Sequence, residues 1–305
     1  METNKKPTIL SPQQQVVLNR LLPVAKVATN GCRDDLPIQP RTSTLIVGPS
    51  GNGKSYIAAE LGKRLSIPVL RINVSSWVVL SARNEPWTFS SIVQWVDSLQ
   101  GGGGILVLDE ADKLQGTGDW VTCIRHEAHD LLDGVIPLAA RMPTAPTDEP
   151  WGMPDPPMFV GRSMLEKQLR ERVLILACGA WQSAWRGNAR TLGFTQEESV
   201  VEPPSCEQIL QSIEPELRQR FRHEVCWLPP MTRADYHLVS LGIAHRISNP
   251  RARRAWDRLA GNAIEQAVAA GLGMRIFEEL MLSVLLDTLV FEEPAMENLK
   301  HLELW

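Results

Sequence analysis

The chain has 305 residues, of which 44% are hydrophobic, and a formal net charge of −4. This length allows two domains with hydrophobic cores, and the charge argues against a protein whose binding is dominated by attraction to nucleic acid or anionic membranes. The sequence contains no stretch of about 18 apolar residues, so no membrane span is predicted. The five cysteines are scattered and form no C-x-x-C pair, which predicts a reducing, cytoplasmic location.

Residues 1–40 predict an amino-terminal helix followed by a linker. Ser11 and Pro12 form a favourable helix start, since serine can cap the first turn and proline is tolerated inside it. Apolar residues follow, although Pro23 is expected to kink or end this helix. Residues 30–42 are polar and contain prolines, which indicates a linker into the first strand.

The segment 48–55 reads Gly-Pro-Ser-Gly-Asn-Gly-Lys-Ser and fits the phosphate-loop pattern G-x-x-x-x-G-K-[ST] at every required position. An apolar run typical of a buried strand precedes it, and apolar residues at helical spacing follow it. Glycines let the backbone amides turn towards a phosphate, and the helix start adds a favourable dipole. The pattern predicts ATP binding by Pro49, Ser50, Gly51, Asn52, Gly53, Lys54, Ser55 and Tyr56, with Lys54 on the β and γ phosphates and Ser55 on Mg²⁺.

Residues 68–74 predict a second strand, and residues 88–99 predict a helix. Four glycines and the run Ile-Leu-Val-Leu then lead into Asp109 and Glu110, which predicts a buried parallel strand that ends in two acids. The carboxyl ends of such strands are where α/β sheets bind ligands. Asp109 is expected to hold Mg²⁺, and Glu110 to act as the base that orients the attacking water. The acid pair therefore favours ATP hydrolysis over passive binding.

The rest of the chain predicts one further helix, two irregular insertions and a helical end. Residues 120–132 have a helical pattern. Six prolines and several acids in residues 142–158 indicate a long or disordered loop, and residues 187–206 form another irregular segment. From residue 232 the pattern is helical, which predicts a separate lid of three or four helices.

Several motifs together resemble the AAA+ ATPases, and the later ones are similar to the ClpX/HslU branch. The phosphate loop and Leu-Asp-Glu-Ala-Asp at 108–112 carry the family resemblance. Residues 173–182 are similar to the branch's sensor-1 strand, residues 214–221 to its Pro-Glu-x-x-x-Arg segment, and Gly-Met-Arg at 273–275 to its sensor-2 helix. The resemblance spans residues 40 to 290, in the family's order.

The resemblance implies an α/β fold, a P-loop NTPase with a parallel αβα sandwich core followed by a small all-helical lid. The core would be residues 41–230, with insertions near 113–170 and 187–212, and the lid would be residues 231–305.

Specific site residues follow from the same resemblance. Arg220 corresponds to the arginine finger that reaches a neighbouring subunit's nucleotide, with Arg218 and Arg222 as alternatives in the same segment. Arg275 corresponds to the arginine that ties the lid to the nucleotide. Cys178 occupies the sensor-1 position, where the family offers a better hydrogen-bonding side chain to the attacking water.

The implied activity is a hexameric ring ATPase that remodels or unfolds a protein client or a larger complex. The segment 78–87 departs from the branch, because it lacks the aromatic-hydrophobic-Gly tripeptide that grips polypeptide. Trp77 or Trp87 could take that role, and the other reading for each is a core residue. Leu192-Gly-Phe194 falls where ClpX docks its protease, so a ClpP-like partner is a further alternative.

The rival function is a nucleotide-switched scaffold on DNA, such as a loader, a transposition helper or a subunit of a defence complex. Basic residues with an aromatic among them can follow a phosphate backbone. Such a cluster surrounds Trp256 and comprises Arg246, Arg251, Arg253, Arg254 and Arg258. A solvated helix face or a subunit contact is the other interpretation of this cluster. No membrane partner is expected.

Overall fold

The computed structural model divides by its contacts into two compact units. It describes residues 9–33, 36–79, 87–137, 140, 142, 157–182 and 205–290. The α/β unit comprises the described parts of Gln14–Pro49 and Lys54–Pro229, and the helical unit comprises those of Met1–Gln13, Ser50–Gly53 and Pro230–Trp305.

The α/β unit contains a parallel sheet and the helices around it. The strands are β1 (Thr44–Val47), β2 (Val69–Asn73), β3 (Gly104–Asp109), β4 (Val173–Gly179) and β5 (Cys226–Trp227). The helices are α1 (Pro12–Thr29), α2 (Lys54–Leu65), α3 (Trp87–Ser98), α4 (Asp119–Leu132), α5 (Pro157–Arg172), α6 (Cys206–Gln211) and α7 (Pro215–Arg218). Short 3-10 helices at Val74–Ser76 and Ala111–Gln115 follow β2 and β3.

The strand order is β2-β3-β4-β1-β5, and each neighbouring pair is parallel. Every residue of β1, β3 and β4 is buried, as expected for apolar strands that are covered on both faces. The register places Asp109, the last residue of β3, opposite Asn73 of β2 and Cys178 of β4. These three side chains therefore lie at the carboxyl edge of the sheet. The predicted P-loop αβα architecture is confirmed.

Two tryptophans next to β2 were candidates for gripping a substrate. Trp77 is 1% exposed, and its indole Nε1 donates to Glu127 Oε2 at 2.9 Å, so it is a core residue. Trp87 begins α3, and its side chain lies outside the described residues, as do residues 80–86.

The helix boundaries decide between two alternatives at one place and depart from the sequence analysis at two others. An end of α1 at Pro23 is excluded, because the helix continues to Thr29. The proline-rich loop expected at 142–158 ends earlier, because Pro157 and Met158 already belong to α5; residues 143–156 lie outside the described part. The irregular segment expected at 187–206 gives way to α6 at Cys206, and residues 187–204 are likewise outside it.

The helical unit consists, in its described part, of three helices, which confirms the prediction of an all-helical second part. They are α8 (Arg233–Ala244), α9 (Pro250–Ala270) and α10 (Arg275–Val290). The Asn249 side chain accepts from the first amides of α9, and Gly271 ends α9 in the left-handed conformation that glycine favours. Among the described residues, no helix combines the length and apolar character needed to cross a bilayer.

Trp256 is the centre of the helical unit's core. It is 1% exposed, stacks on Phe277 with ring centroids 6.0 Å apart, and donates from Nε1 to Ser240 Oγ at 3.0 Å. The Tyr236 ring also contacts Phe277, with ring centroids 6.1 Å apart. The aromatic of the basic cluster is therefore buried, and it is not available to stack on a base.

We expect Trp256→Ala to lower the free energy of unfolding of the helical unit by about 3–5 kcal/mol, because it removes a large buried ring and leaves a cavity. Hydrogen exchange of peptides from α8 to α10 measures this directly. Trp120→Ala is the matched control, since Trp120 is 48% exposed and its loss should change stability by about 0.5 kcal/mol or less. Equal protection of α8 to α10 in wild type and Trp256→Ala would contradict the assignment.

Candidate nucleotide-binding site

The phosphate loop joins β1 to α2 and depends on its glycines. Gly51 and Gly53 both have a φ of +82°, which L-residues rarely adopt. Gly48 is required for a different reason, because a Cβ there would lie 2.2 Å from the carbonyl oxygen of Leu228. The first turn of α2 contains no acidic residue, so its positive end remains favourable for an anion.

Lys54, the first residue of α2, has its ammonium group inside this loop. The residue is 8% exposed, and Nζ donates to the carbonyl oxygens of Gly48 at 2.7 Å and Pro49 at 2.8 Å. The Lys54 ammonium is thus held against the first two residues of the loop.

Ser55 and Asp109 lie in contact although 54 positions separate them in the chain. Ser55 Oγ donates to Asp109 Oδ2 at 2.9 Å. Hydroxyl and carboxylate oxygens are the ligands that Mg²⁺ prefers, and this ion is commonly bound by one or two such groups together with substrate phosphates. The donor set therefore fits Mg²⁺. The guanidinium of Arg71, on β2, contacts the same Oδ2 atom.

The carboxylate of Glu110 has a different partner from that of Asp109. Its backbone is left-handed, with φ 57° and ψ 36°, a conformation that disfavours a non-glycine residue by about 1–2 kcal/mol. The Glu110 amide donates to Asp109 Oδ1 at 3.1 Å, and its exposed carboxylate accepts a hydrogen bond from Ser75 Oγ. The strained turn thus separates the two acids, with Asp109 on Ser55 and Glu110 on Ser75.

Cys178 lies beside the acid pair on β4, opposite Asp109 in the register. Burial raises the pKa of the Cys178 thiol to about 12, and the Asp109 carboxylate adds to the effect. The thiol is therefore neutral at pH 7 and is only a weak hydrogen-bond donor. Gly179 follows it, where a Cβ would lie 2.4 Å from the Trp181 ring.

Arg220 is held firmly by its own α/β unit. Its Nε and Nη2 donate to Asp133 Oδ2 at 2.9 and 2.8 Å, and Nη1 donates to the carbonyl oxygen of Glu216 at 2.7 Å. Burial lowers the pKa of the nearby His129, and the Arg220 charge lowers it further, so this imidazole is neutral at pH 7. The Arg220 guanidinium thus has a fixed position.

The two other arginines of this segment differ from Arg220. Arg222 forms an ion pair with Glu224 at 2.8 Å, and Arg218 is the last residue of α7.

Polar contacts join the segment after the acid pair to the segment that carries these arginines. Arg125 of α4 donates to the carbonyl oxygens of Leu114 at 2.8 Å and Gly116 at 2.9 Å, and to Glu214 Oε1 at 3.1 Å. Gln115 Nε2 donates to the carbonyl oxygen of Ser212 at 2.8 Å. Residues 111–116 and 212–214 are thereby held together.

Of the remaining predicted residues, Arg275, Ser50 and Asn52 belong to the helical unit, and Tyr56 belongs to the α/β unit. Arg275 is the first residue of α10, and its side chain is exposed. Within that unit the Met274 amide donates to the Gly51 carbonyl oxygen at 2.8 Å. Ser50 is exposed and Asn52 is buried, whereas Tyr56, on α2 of the α/β unit, is 38% exposed. The roles predicted for Arg275 and Tyr56 stay predictions.

The sequence analysis missed four polar residues of this region. Arg71 and Ser75 contact the acid pair, and Asp133 and Arg125 hold the arginine segment. The sequence contains a weak signal for the first two. Arg71 is a charged residue within a mostly apolar strand, and Ser75 belongs to a polar segment directly after that strand. No local signal marks the other two.

Comparison with known families found a match that covers part of the chain. Residues 44–132 match the family model described as ATPase family associated with various cellular activities (AAA). The matched segment runs from β1 to the end of α4 and includes Lys54, Ser55, Asp109 and Glu110. No curated protein matches the chain. Residues 44–132 of the chain are therefore similar to an AAA ATPase domain.

Proposed function

We propose that this protein is a Mg²⁺-dependent ATPase that acts as a ring and couples hydrolysis to remodelling of a protein client or a larger complex. The observation that carries the proposal is the contact of Ser55 Oγ with Asp109 Oδ2 at 2.9 Å, next to the Lys54 ammonium inside the phosphate loop. The scattered cysteines support a cytoplasmic location for this activity.

Each residue of the site has a separate task in the proposed mechanism. Lys54 and the loop amides bind the β and γ phosphates, and Ser55 with Asp109 would hold Mg²⁺. The metal, when bound, would offset the charge of the phosphate oxygens. Glu110 orients the attacking water and accepts its proton. Ser75 keeps the Glu110 carboxylate in place, and Cys178 contributes only a weak hydrogen bond at the level of Asp109.

The finger role proposed for Arg220 places the complete site between two subunits. A guanidinium supplies paired donors to the phosphate oxygens as they gather charge in the transition state. The anchoring of Arg220 by Asp133 and Glu216 supports this role, because a fixed guanidinium loses less freedom when it binds. Arg275 is proposed to bind phosphate in its own subunit.

We expect Arg220→Ala to retain ATP binding and to lower kcat by about 10³-fold, because the finger acts on charge that develops in the transition state. Steady-state hydrolysis and fluorescent ATP binding measure the two effects. Arg218→Ala and Arg222→Ala are the matched controls, and normal turnover is expected for both.

Mixing variants tests whether the site is shared. Subunits with Arg220→Ala and subunits with Glu110→Gln each lack a different half of the shared site. Mixed rings should therefore contain some complete sites and regain part of the activity. Normal turnover by Arg220→Ala alone would contradict the finger assignment, and no recovery on mixing would contradict the shared site.

The client is proposed to be a polypeptide, although the substrate grip of the ClpX/HslU branch has no counterpart among the described residues of this chain. The burial of Trp77 removes one candidate for that grip. The possible protease-docking tripeptide at 192–194 lies outside the described residues. Binding to DNA is the alternative. Arg251, Arg253 and Arg254 support it because they are exposed at the start of α9, whereas the burial of Trp256 argues against it.

A further inference from the structure

Arg71 is the one charged residue of β2, and β2 is an edge strand of the described sheet. Its side chain is 60% exposed, yet its guanidinium contacts Oδ2 of Asp109, whose side chain is 12% exposed. Because the Arg71 guanidinium could instead be solvated, its contact with a nearly buried carboxylate requires an explanation.

The register explains how Arg71 reaches this atom. Asn73 of β2 pairs with Asp109, and Arg71 lies two residues earlier, on the same face of the sheet. The long side chain of Arg71 therefore extends along the strand to the carboxyl edge. There it meets the oxygen that also accepts the Ser55 hydroxyl at 2.9 Å.

This shared oxygen creates a competition between two cations. The proposed metal site uses the Ser55 hydroxyl and the Asp109 carboxylate, and the Arg71 guanidinium already occupies part of that carboxylate. Two positive groups on one oxygen repel each other, whereas either alone offsets the charge of Asp109. Any group that binds Asp109 in place of the metal raises the metal concentration needed to fill the site.

We propose that Arg71 competes with the divalent cation for Asp109 and so sets the concentration of Mg²⁺ at which nucleotide binds with its metal. This inference rests on the proposed function of the site. Arg71 neutralises Asp109 while no metal is bound, and swings into solvent when the metal enters. Its exposure makes this movement inexpensive, because 60% of the side chain already lies in solvent.

The test is a titration of Mn²⁺ binding in the presence of ADP, followed by electron paramagnetic resonance, with fluorescent ADP binding against free Mg²⁺ as a second readout. Arg71→Gln should lower the half-saturating metal concentration about two- to fivefold, the range that partly exposed ion pairs produce. Arg71→Lys keeps the charge and should stay close to wild type. Arg71→Met, which keeps the length, should match Arg71→Gln.

Arg64→Gln is the control for loss of one positive charge. Arg64 is an exposed arginine paired with Glu60 near the far end of α2, ~15 Å along the helix from Lys54, which exceeds the Debye length of about 8 Å at physiological salt. Its metal titration should equal that of wild type.

The possible outcomes separate this inference from the proposed function. If wild type binds ADP with metal and the uncharged Arg71 variants need the same or more metal, the competition is wrong and the nucleotide site stands. If Arg64→Gln shifts as much as Arg71→Gln, the effect is one of net charge, and the inference is also wrong. If wild type binds no nucleotide at any metal concentration, both fail.

Discussion

Replacing Lys54 by alanine is expected to weaken ATP binding by about 30- to 1000-fold, which corresponds to the loss of about 2–4 kcal/mol of charged hydrogen bonding. The reason lies in the loop itself. Lys54 is 8% exposed and places its ammonium against the carbonyl oxygens of Gly48 and Pro49, where the loop amides turn. No other described cation lies within this loop, so nothing replaces the lost charge.

Fluorescent ATP binding measures the effect, and Lys63→Ala is the matched control. Lys63 is exposed in the last turn of the same helix, and its loss removes the same charge without touching the loop. Circular dichroism melting of both variants checks that the fold is retained. Equal affinity of wild type and Lys54→Ala would remove the basis of the proposed function.

The phosphate loop and the acid pair could be predicted because their patterns are local. The spacing of Gly48, Gly53, Lys54 and Ser55 fixes a loop whose shape depends on a few consecutive residues. The apolar run before Asp109 likewise predicts a buried strand, since short continuous apolar runs are typical of parallel strands that are covered on both faces. In both segments the local preference and the tertiary environment agree.

The partners of the acids could not be predicted, because they depend on which strands are neighbours. Arg71 meets Asp109 only because β2 pairs with β3 in the register that sets Asn73 opposite Asp109. The ion pair of Arg220 with Asp133 spans 87 positions and joins the residue after α4 to one just past the end of α7. Neither contact is marked by a recognisable residue spacing in the sequence.

The sequence analysis left open whether Pro23 kinks or ends α1, and it missed α5. Pro23 lacks an amide to continue the ladder, yet the buried residues on both sides of it, Leu21 and Ala25, stabilise α1 by packing. α5 was missed because its pattern is weak. Of its described side chains only Leu165 and Leu169 are buried and apolar, and charged residues occupy much of the rest.

We expect Glu110→Gln to bind ATP with wild-type affinity and to lower kcat by about 10²–10⁴-fold, because the amide cannot accept the proton of the attacking water. The substitution preserves size, and Ser75 Oγ can still donate to the amide oxygen, so the left-handed turn at residue 110 is kept. Glu207→Gln, an exposed change of the same kind at the start of α6, should leave turnover unchanged.

The stalled variant also tests what the ATPase acts on. With ATP, Glu110→Gln subunits should retain a partner that Lys54→Ala subunits, whose ATP binding is weakened, do not retain. A retained polypeptide whose unfolded form stimulates wild-type hydrolysis supports remodelling of a protein. Retained DNA that is lost with rising salt, and lost on replacing Arg251, Arg253 and Arg254, favours the scaffold on nucleic acid instead. Turnover close to wild type in Glu110→Gln would contradict the role of Glu110 as the base, because a glutamine at this position has no means of accepting the proton.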